Sequence, residues 1–138
     1  LIRACDPTDV DHLIAINALD QLDLDGHQLR LVPQILYELW VVGTRPKDVN
    51  GLGFTPQAMH TRMTEFAALF PLLRDERTVL DHWQQLVVQQ NIVGKKAHDA
   101  RLVAAMIRHG VDHVLTFNAG DFKRFSEITV LTPKEVLA

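Results

Sequence analysis

The chain has 138 residues, of which 47% are hydrophobic and 22% are charged, and its single cysteine, Cys5, excludes an internal disulfide. No apolar run approaches the roughly 20 residues that a membrane span needs, so the composition indicates an ordinary globular domain of the cytoplasm. A net charge of −3 provides no overall field that would attract nucleic acid. A polyanionic substrate would therefore have to be held by local basic clusters or by bound cations.

Apolar periodicity, caps and turn residues predict alternating helices and strands along the chain. The pattern predicts helices over 10–22, 34–42, 55–70, 78–90 and 95–110 with a short helix from Pro133, and strands over 28–32, 71–75, 112–117 and 127–132. This order is typical of a single α/β domain over residues 1–138, with a mostly parallel sheet covered by helices on both faces. In such folds, functional sites gather at the carboxyl ends of the strands.

An acid interrupts the apolar face of the helix "KKAHDARLVAAMIRHG", residues 95–110. Asp99 shares that face with Leu102, Val103 and Met106, which lie three, four and seven positions further on. Burying an ionised carboxylate is costly unless it is paired or binds a cation. The position of Asp99 therefore predicts a partner for its carboxylate.

Glu38 repeats this pattern on the helix "QILYELWVV", where it lies three or four residues from Ile35, Val41 and Val42. We therefore expect Glu38 to project inward from an apolar stripe. The segment "TFNAGDF" follows the clearest predicted strand and places Thr116, Asn118 and Asp121 just beyond its carboxyl end.

Together, these residues form a set of oxygen donors: the carboxylates of Glu38, Asp99 and Asp121 and the amide of Asn118. Mg²⁺ and Mn²⁺ prefer oxygen ligands and complete their shells with water and substrate phosphates. Such ions activate water for attack on phosphorus, so the set indicates phosphodiester hydrolysis. For each acid taken alone, a salt bridge at the edge of an apolar stripe, or a turn or cap role for Asp121, stays an open alternative.

Other parts of the sequence carry weaker signals. Lys95 and Lys96 are candidates for contact with a nucleic-acid backbone, with ordinary solvated surface as the alternative. Trp40 and Trp83 lie in helical apolar stretches, which favours core packing. No Ser-His-Asp arrangement, GxSxG sequence or phosphate-binding loop is present.

The stretches "AHDARLVAAMIRHGVDHVLTFNAGDF" and "VPQILYELWVV", together with "LIRACDPTDVDH" and "NGLGFTPQAM", make the sequence resemble the PIN-domain ribonucleases. It is most similar to the VapC-type toxins of bacterial toxin–antitoxin pairs, and the resemblance covers nearly the whole chain. It implies a three-layer α/β/α sandwich and metal-dependent endoribonuclease activity with Mg²⁺ or Mn²⁺. It also implies RNA as substrate, a cognate antitoxin protein as partner, and a homodimer.

The resemblance also implies individual roles. Glu38 corresponds to the family's helical glutamate, Asp99 to its central helical aspartate, and Asp121 to the aspartate before phenylalanine in its last acidic cluster. Asn118 occupies a position that is often aspartate, and Thr116 matches the hydroxyl residue that begins that motif.

One departure from the family concerns the N-terminus. The family begins with a strand in a pattern like "DTNVLIRA", whose aspartate binds the metal, whereas this sequence starts at "LIRA". We therefore expect an N-terminally truncated sequence that lacks the first strand. The rival interpretation is a catalytically degenerate PIN domain that acts as a protein- or RNA-binding module. A metal-dependent phosphatase of another α/β fold is disfavoured, because no DxD sequence follows an apolar strand.

Overall fold

The computed structural model describes residues 1–138 and is mixed α/β. The elements are α1 (Ile2–Cys5), α2 (His12–Leu24), α3 (Pro33–Thr44), α4 (Pro56–Leu69), α5 (Arg77–Gln89), α6 (Ala97–His109), β1 (His113–Leu115), β2 (Thr129–Leu131) and α7 (Pro133–Val136). Three short 3₁₀ turns cover Lys47–Val49, Gly94–Lys96 and Ala119–Asp121. No helix combines the length and the apolar character that a membrane span requires.

The chain forms two compact units, Leu1–Leu73 with Leu137 and Arg74–Val136 with Ala138. The single domain over 1–138 stays a prediction. Every predicted helix is present, with boundaries within about two residues of those expected from the sequence, because caps and breakers fix helix ends locally. Thr55 is one such cap, since its side chain accepts a hydrogen bond from the Ala58 N–H at 3.1 Å.

The first unit is built around a cluster of apolar side chains from α1, α3, α4 and the segment before α3. Its buried members are Cys5, Leu31, Leu36, Leu39 and Met59. Trp40 packs against this cluster, as predicted. The prediction of strands over 28–32 and 71–75 is wrong. In these segments, only a single parallel bridge forms, between Leu31 and Leu72.

In the second unit, α5 and α6 form an antiparallel hairpin. The indole of Trp83 reaches Ala97 at the start of α6, whereas Arg108 near the end of α6 pairs with Glu76 just before α5. Ala100 and Ala104 are completely buried. Their small side chains allow the two helices to approach closely.

The sheet in this unit consists of β1 and β2, which pair in parallel with His113 opposite Thr129 and Leu115 opposite Leu131. Both strands were predicted, although each is shorter than expected. The connection over 116–128 has about the dozen residues that a parallel crossover requires. The parallel pairing is confirmed, and the three-layer sandwich stays a prediction.

Candidate metal and RNA-binding residues

Asp99 lies in the first turn of α6 and is half-buried. Val103 and Met106 on the same face are buried and Leu102 is half-buried, so the predicted apolar face is confirmed. The helix macrodipole favours negative charge near a helix N-terminus, which is where Asp99 lies. The residue therefore combines partial burial with a site that favours negative charge.

The start of α6 is fixed by a hydrogen bond from α5 and by the conformation of the preceding turn. The indole Nε1–H of Trp83 donates a 2.8 Å hydrogen bond to the carbonyl oxygen of Ala97, two residues before Asp99. Gly94 opens the preceding turn with φ +67°, a conformation that glycine adopts readily. The hydrogen bond and the turn together set the position of the Asp99 backbone.

The loop after β1 holds the second group of predicted donors. The Thr116 N–H donates to the Leu131 carbonyl oxygen at 2.9 Å, which continues the pairing with β2. The Thr116 hydroxyl then accepts from the Asn118 N–H at 3.0 Å, and the Asp121 N–H donates to the Asn118 carbonyl oxygen at 3.1 Å. The predicted turn is thus confirmed, with Asn118 and Asp121 exposed and Thr116 half-buried.

Two phenylalanines anchor this loop. Phe122 and Phe125 are 7% and 2% exposed, whereas Asp121 and Lys123 beside them are exposed. Burial of the two rings fixes the loop through apolar contact, to which the side chains of Asp121 and Lys123 need not contribute.

Glu38 differs from its prediction. It is exposed, and Val41 on the same side of α3 is 58% exposed, so the expectation that Glu38 projects into a core is wrong. The buried side of α3 instead carries Leu39 and Gly43. One carboxylate oxygen of Glu38 accepts a 2.9 Å hydrogen bond from the amide of Gln34, which is itself buried.

The predicted site residues are divided between the two units. Glu38 belongs to the first unit, and Asp99, Thr116, Asn118 and Asp121 belong to the second. In neither unit do three or more His, Cys, Asp or Glu side chains converge as a group that could hold a metal ion. Mg²⁺ is often held by only one or two carboxylates together with water and substrate phosphates.

Lys95 and Lys96 are exposed in the 3₁₀ turn that precedes α6 and form no ion pair. The arginines of α6 differ in this respect. Arg101 pairs with Asp75 at 3.0 Å, and Arg108 pairs with Glu76. The lysine pair therefore differs from these arginines in having no salt-bridge partner.

A groove that the sequence did not predict lies between α5 and α6 and encloses about 410 Å³. Trp83 lines it and is half-buried, so core packing accounts for only part of its surroundings. A local signal was present, because Val79 and Trp83 are four residues apart on α5, as are Ala97 and Arg101 on α6. The sequence alone does not show that these two faces meet.

No protein-family model and no curated protein matches this chain. The resemblance to PIN-domain ribonucleases therefore rests on the residues quoted from the sequence.

Proposed function

We propose that the chain is a PIN-type endoribonuclease that hydrolyses RNA phosphodiester bonds with Mg²⁺ or Mn²⁺. The observation that carries this proposal is the half-buried position of Asp99 on the apolar face of α6. A half-buried carboxylate keeps part of its surface open to solvent, and carboxylate oxygens are ligands that Mg²⁺ and Mn²⁺ prefer. The polar turn directly after β1 supplies further oxygen donors in the same unit.

In this proposal the residues of the second unit have three roles: metal binding, positioning and RNA binding. Asp99 and Asp121 provide carboxylates to a divalent ion, and Asn118 provides an amide oxygen. Thr116 is a positioning residue, because its hydroxyl holds the Asn118 backbone. Lys95 and Lys96 bind RNA phosphates. When bound, the ion would lower the pKa of a water molecule and stabilise negative charge on the attacked phosphate.

By resemblance, Glu38 is proposed as a metal-binding carboxylate of the first unit. The Gln34 amide restrains one of its carboxylate oxygens, which limits the side-chain entropy lost when the other oxygen binds a ligand. The same resemblance supports the wider proposals of a toxin role, an antitoxin partner and a homodimer, and the composition supports the proposal of a cytoplasmic location.

The decisive experiment is cleavage of a fluorescently labelled RNA in Mn²⁺ by the wild-type chain and by Asp99→Asn and Asp121→Asn. We expect cleavage by the wild type, abolished by EDTA and by Asp99→Asn. Asp81→Asn is the matched control, because Asp81 is an exposed acid on α5 that forms no ion pair. Undiminished Mn²⁺-dependent cleavage by folded Asp99→Asn would refute the assigned role.

The assay should include a second form of the chain with an aspartate-bearing strand added before Leu1, because the family's first metal-binding aspartate precedes the "LIRA" sequence. We expect the extended chain to bind Mn²⁺ more tightly and to cleave faster. Isothermal titration of Mn²⁺ into both forms measures the first effect independently of catalysis.

A second candidate is a PIN-like module that binds RNA or protein without cleaving. The absence of a group of three metal-binding side chains in either unit favours it. Two results together would select this alternative. The wild type and Asp99→Asn would both bind RNA in EDTA, and neither the 138-residue chain nor the extended chain would cleave RNA in Mn²⁺.

A further inference from the structure

The groove between α5 and α6 has an apolar floor. Val79, Leu80 and Trp83 contribute from α5, and Ala97 contributes from the first turn of α6. Its volume of about 410 Å³ lies within the range of small-molecule pockets. Leu80 is 51% exposed, so a large apolar side chain at the groove remains open to solvent.

The indole of Trp83 is restrained within this floor. Its Nε1–H already donates to the Ala97 carbonyl oxygen at 2.8 Å, so a ligand meets an oriented aromatic ring rather than a mobile one. An oriented ring contributes contact area with little loss of side-chain entropy on binding. Aromatic side chains of this kind are stacking platforms for unpaired nucleobases.

Polar groups stand along the groove beside this apolar surface. Its polar lining residues are Asp75, Glu76, His98 and Arg101. The 3.0 Å ion pair between Arg101 and Asp75 fixes a guanidinium and a carboxylate there, and Glu76 pairs with Arg108. Such donors and acceptors can form hydrogen bonds with the edge of a base. Within each pair, the two charges compensate each other.

Two lysines without a salt-bridge partner lie immediately before the groove in the chain. Lys95 and Lys96 are exposed, unpaired, and directly precede Ala97, which lines the groove. A ligand that matches both features has an anionic backbone and a flat, partly apolar appendage. Single-stranded RNA has this combination, whereas an apolar peptide has no use for the lysine pair.

We infer that the α5–α6 groove is a nucleobase-binding subsite for single-stranded RNA, with Trp83 and Leu80 contacting one base and Lys95 and Lys96 binding the adjacent phosphates. This subsite rests on the proposed function, which is action on RNA. In that function, the groove binds a base that lies outside the phosphodiester bond that is cleaved. Leu80, Trp83 and His98 become specificity-determining residues.

The test measures binding of hexauridylate and hexaadenylate to the full chain in EDTA, where binding is separated from cleavage. Tryptophan emission should be quenched by RNA in the wild type, and Trp83→Phe, which keeps Trp40, should lose that quenching. Leu80→Glu places a negative charge at the groove and should weaken binding about tenfold. Val88→Glu is the matched control, since Val88 lies on the same helix outside the groove and is 78% exposed.

Equal RNA affinity for folded Leu80→Glu and Val88→Glu would overturn the subsite, as would the absence of RNA binding by the wild type. Emission that changes with protein concentration but not with RNA would assign the groove to contact between copies of the chain and would also overturn it. Cleavage in Mn²⁺ on the same preparations tests the nuclease separately. RNA binding that Leu80→Glu weakens, without cleavage, would support the subsite and refute the nuclease. Cleavage that requires Asp99 but is unchanged by Leu80→Glu would support the nuclease and refute the subsite.

Discussion

Trp83 donates its indole N–H to the carbonyl oxygen of Ala97 at 2.8 Å, so α5 is bonded to the first turn of α6 only two residues before Asp99. The bond links an aromatic wall of the groove to the backbone that carries the central acid of the proposed site. A change at Trp83 is therefore expected to affect stability as well as RNA binding.

For Trp83→Phe we expect a loss of about 1–2 kcal/mol in the free energy of unfolding. The substitution keeps an aromatic ring but removes one partly buried hydrogen bond and some apolar contact. Urea denaturation followed by far-UV circular dichroism measures the change. A free energy of unfolding equal to that of the wild type would show that the hydrogen bond to Ala97 makes no net contribution to stability.

RNA binding should depend on salt through the lysine pair. On single strands, each phosphate neutralised contributes about −0.7 to the slope of log affinity against log salt concentration. Lys95→Ala and Lys96→Ala should each reduce the slope by about that amount. Lys134→Ala is the control, since Lys134 is an exposed lysine of the same unit, in α7. A slope that all three substitutions change equally would contradict a specific role for Lys95 and Lys96.

Gly51→Ala should destabilise the first unit by about 1–3 kcal/mol or more, since added atoms in a packed place force backbone shifts. A Cβ at Gly51 would clash with the backbone carbonyl of Arg45, whose oxygen is already held by the Gly53 N–H at 2.9 Å. Gly120→Ala is the control, because its Cβ would meet nothing within 4 Å. Comparable urea midpoints for the two variants would count against the close approach at Gly51.

Glu135 should make stability depend on pH. Its carboxylate accepts 2.8 Å hydrogen bonds from the backbone N–H and the hydroxyl of Thr132, and these bonds lower the pKa of Glu135. Because the folded-state pKa lies below the ordinary value of about 4.3, the stabilisation is fully present above that pH. It is lost as the pH falls through the lowered pKa.

Urea midpoints of the wild type and Glu135→Gln between pH 7 and pH 2.5 check this expectation. The wild type should be the more stable at pH 7, and the difference should vanish at the acid end. Glu127→Gln serves for comparison, because Glu127 is exposed and forms no hydrogen bond or ion pair. A difference that stays constant with pH would exclude ionisation of Glu135 as its cause.

The sequence predicts those parts of the fold that depend on neighbouring residues. Gly110 ends α6 with φ +66°, and Thr55 caps α4, because both signals act within a single turn. The strand predicted over 28–32 fails because a strand needs a partner for its hydrogen bonds, and only Leu31 finds one, across from Leu72.

The candidate site was predictable to a different extent in each helix. Asp99 lies on the expected face of α6 because that helix has a clearly one-sided distribution of apolar residues. In α3, apolar residues occur on nearly every side, so periodicity does not select the buried face, and Glu38 was wrongly assigned to it. The groove depends on how α5 meets α6, which no local pattern specifies.

The loop anchored by Phe122 and Phe125 carries exposed polar side chains that do not take part in this anchoring. Because the two buried rings fix its course, Asn118 and Asp121 can be exchanged without repacking the interior. Point mutation can therefore raise or lower the number of carboxylates that the loop presents while the scaffold stays intact. Asn118→Asp would be a single step along that route, so the loop is a place where new activity can evolve at little risk to folding.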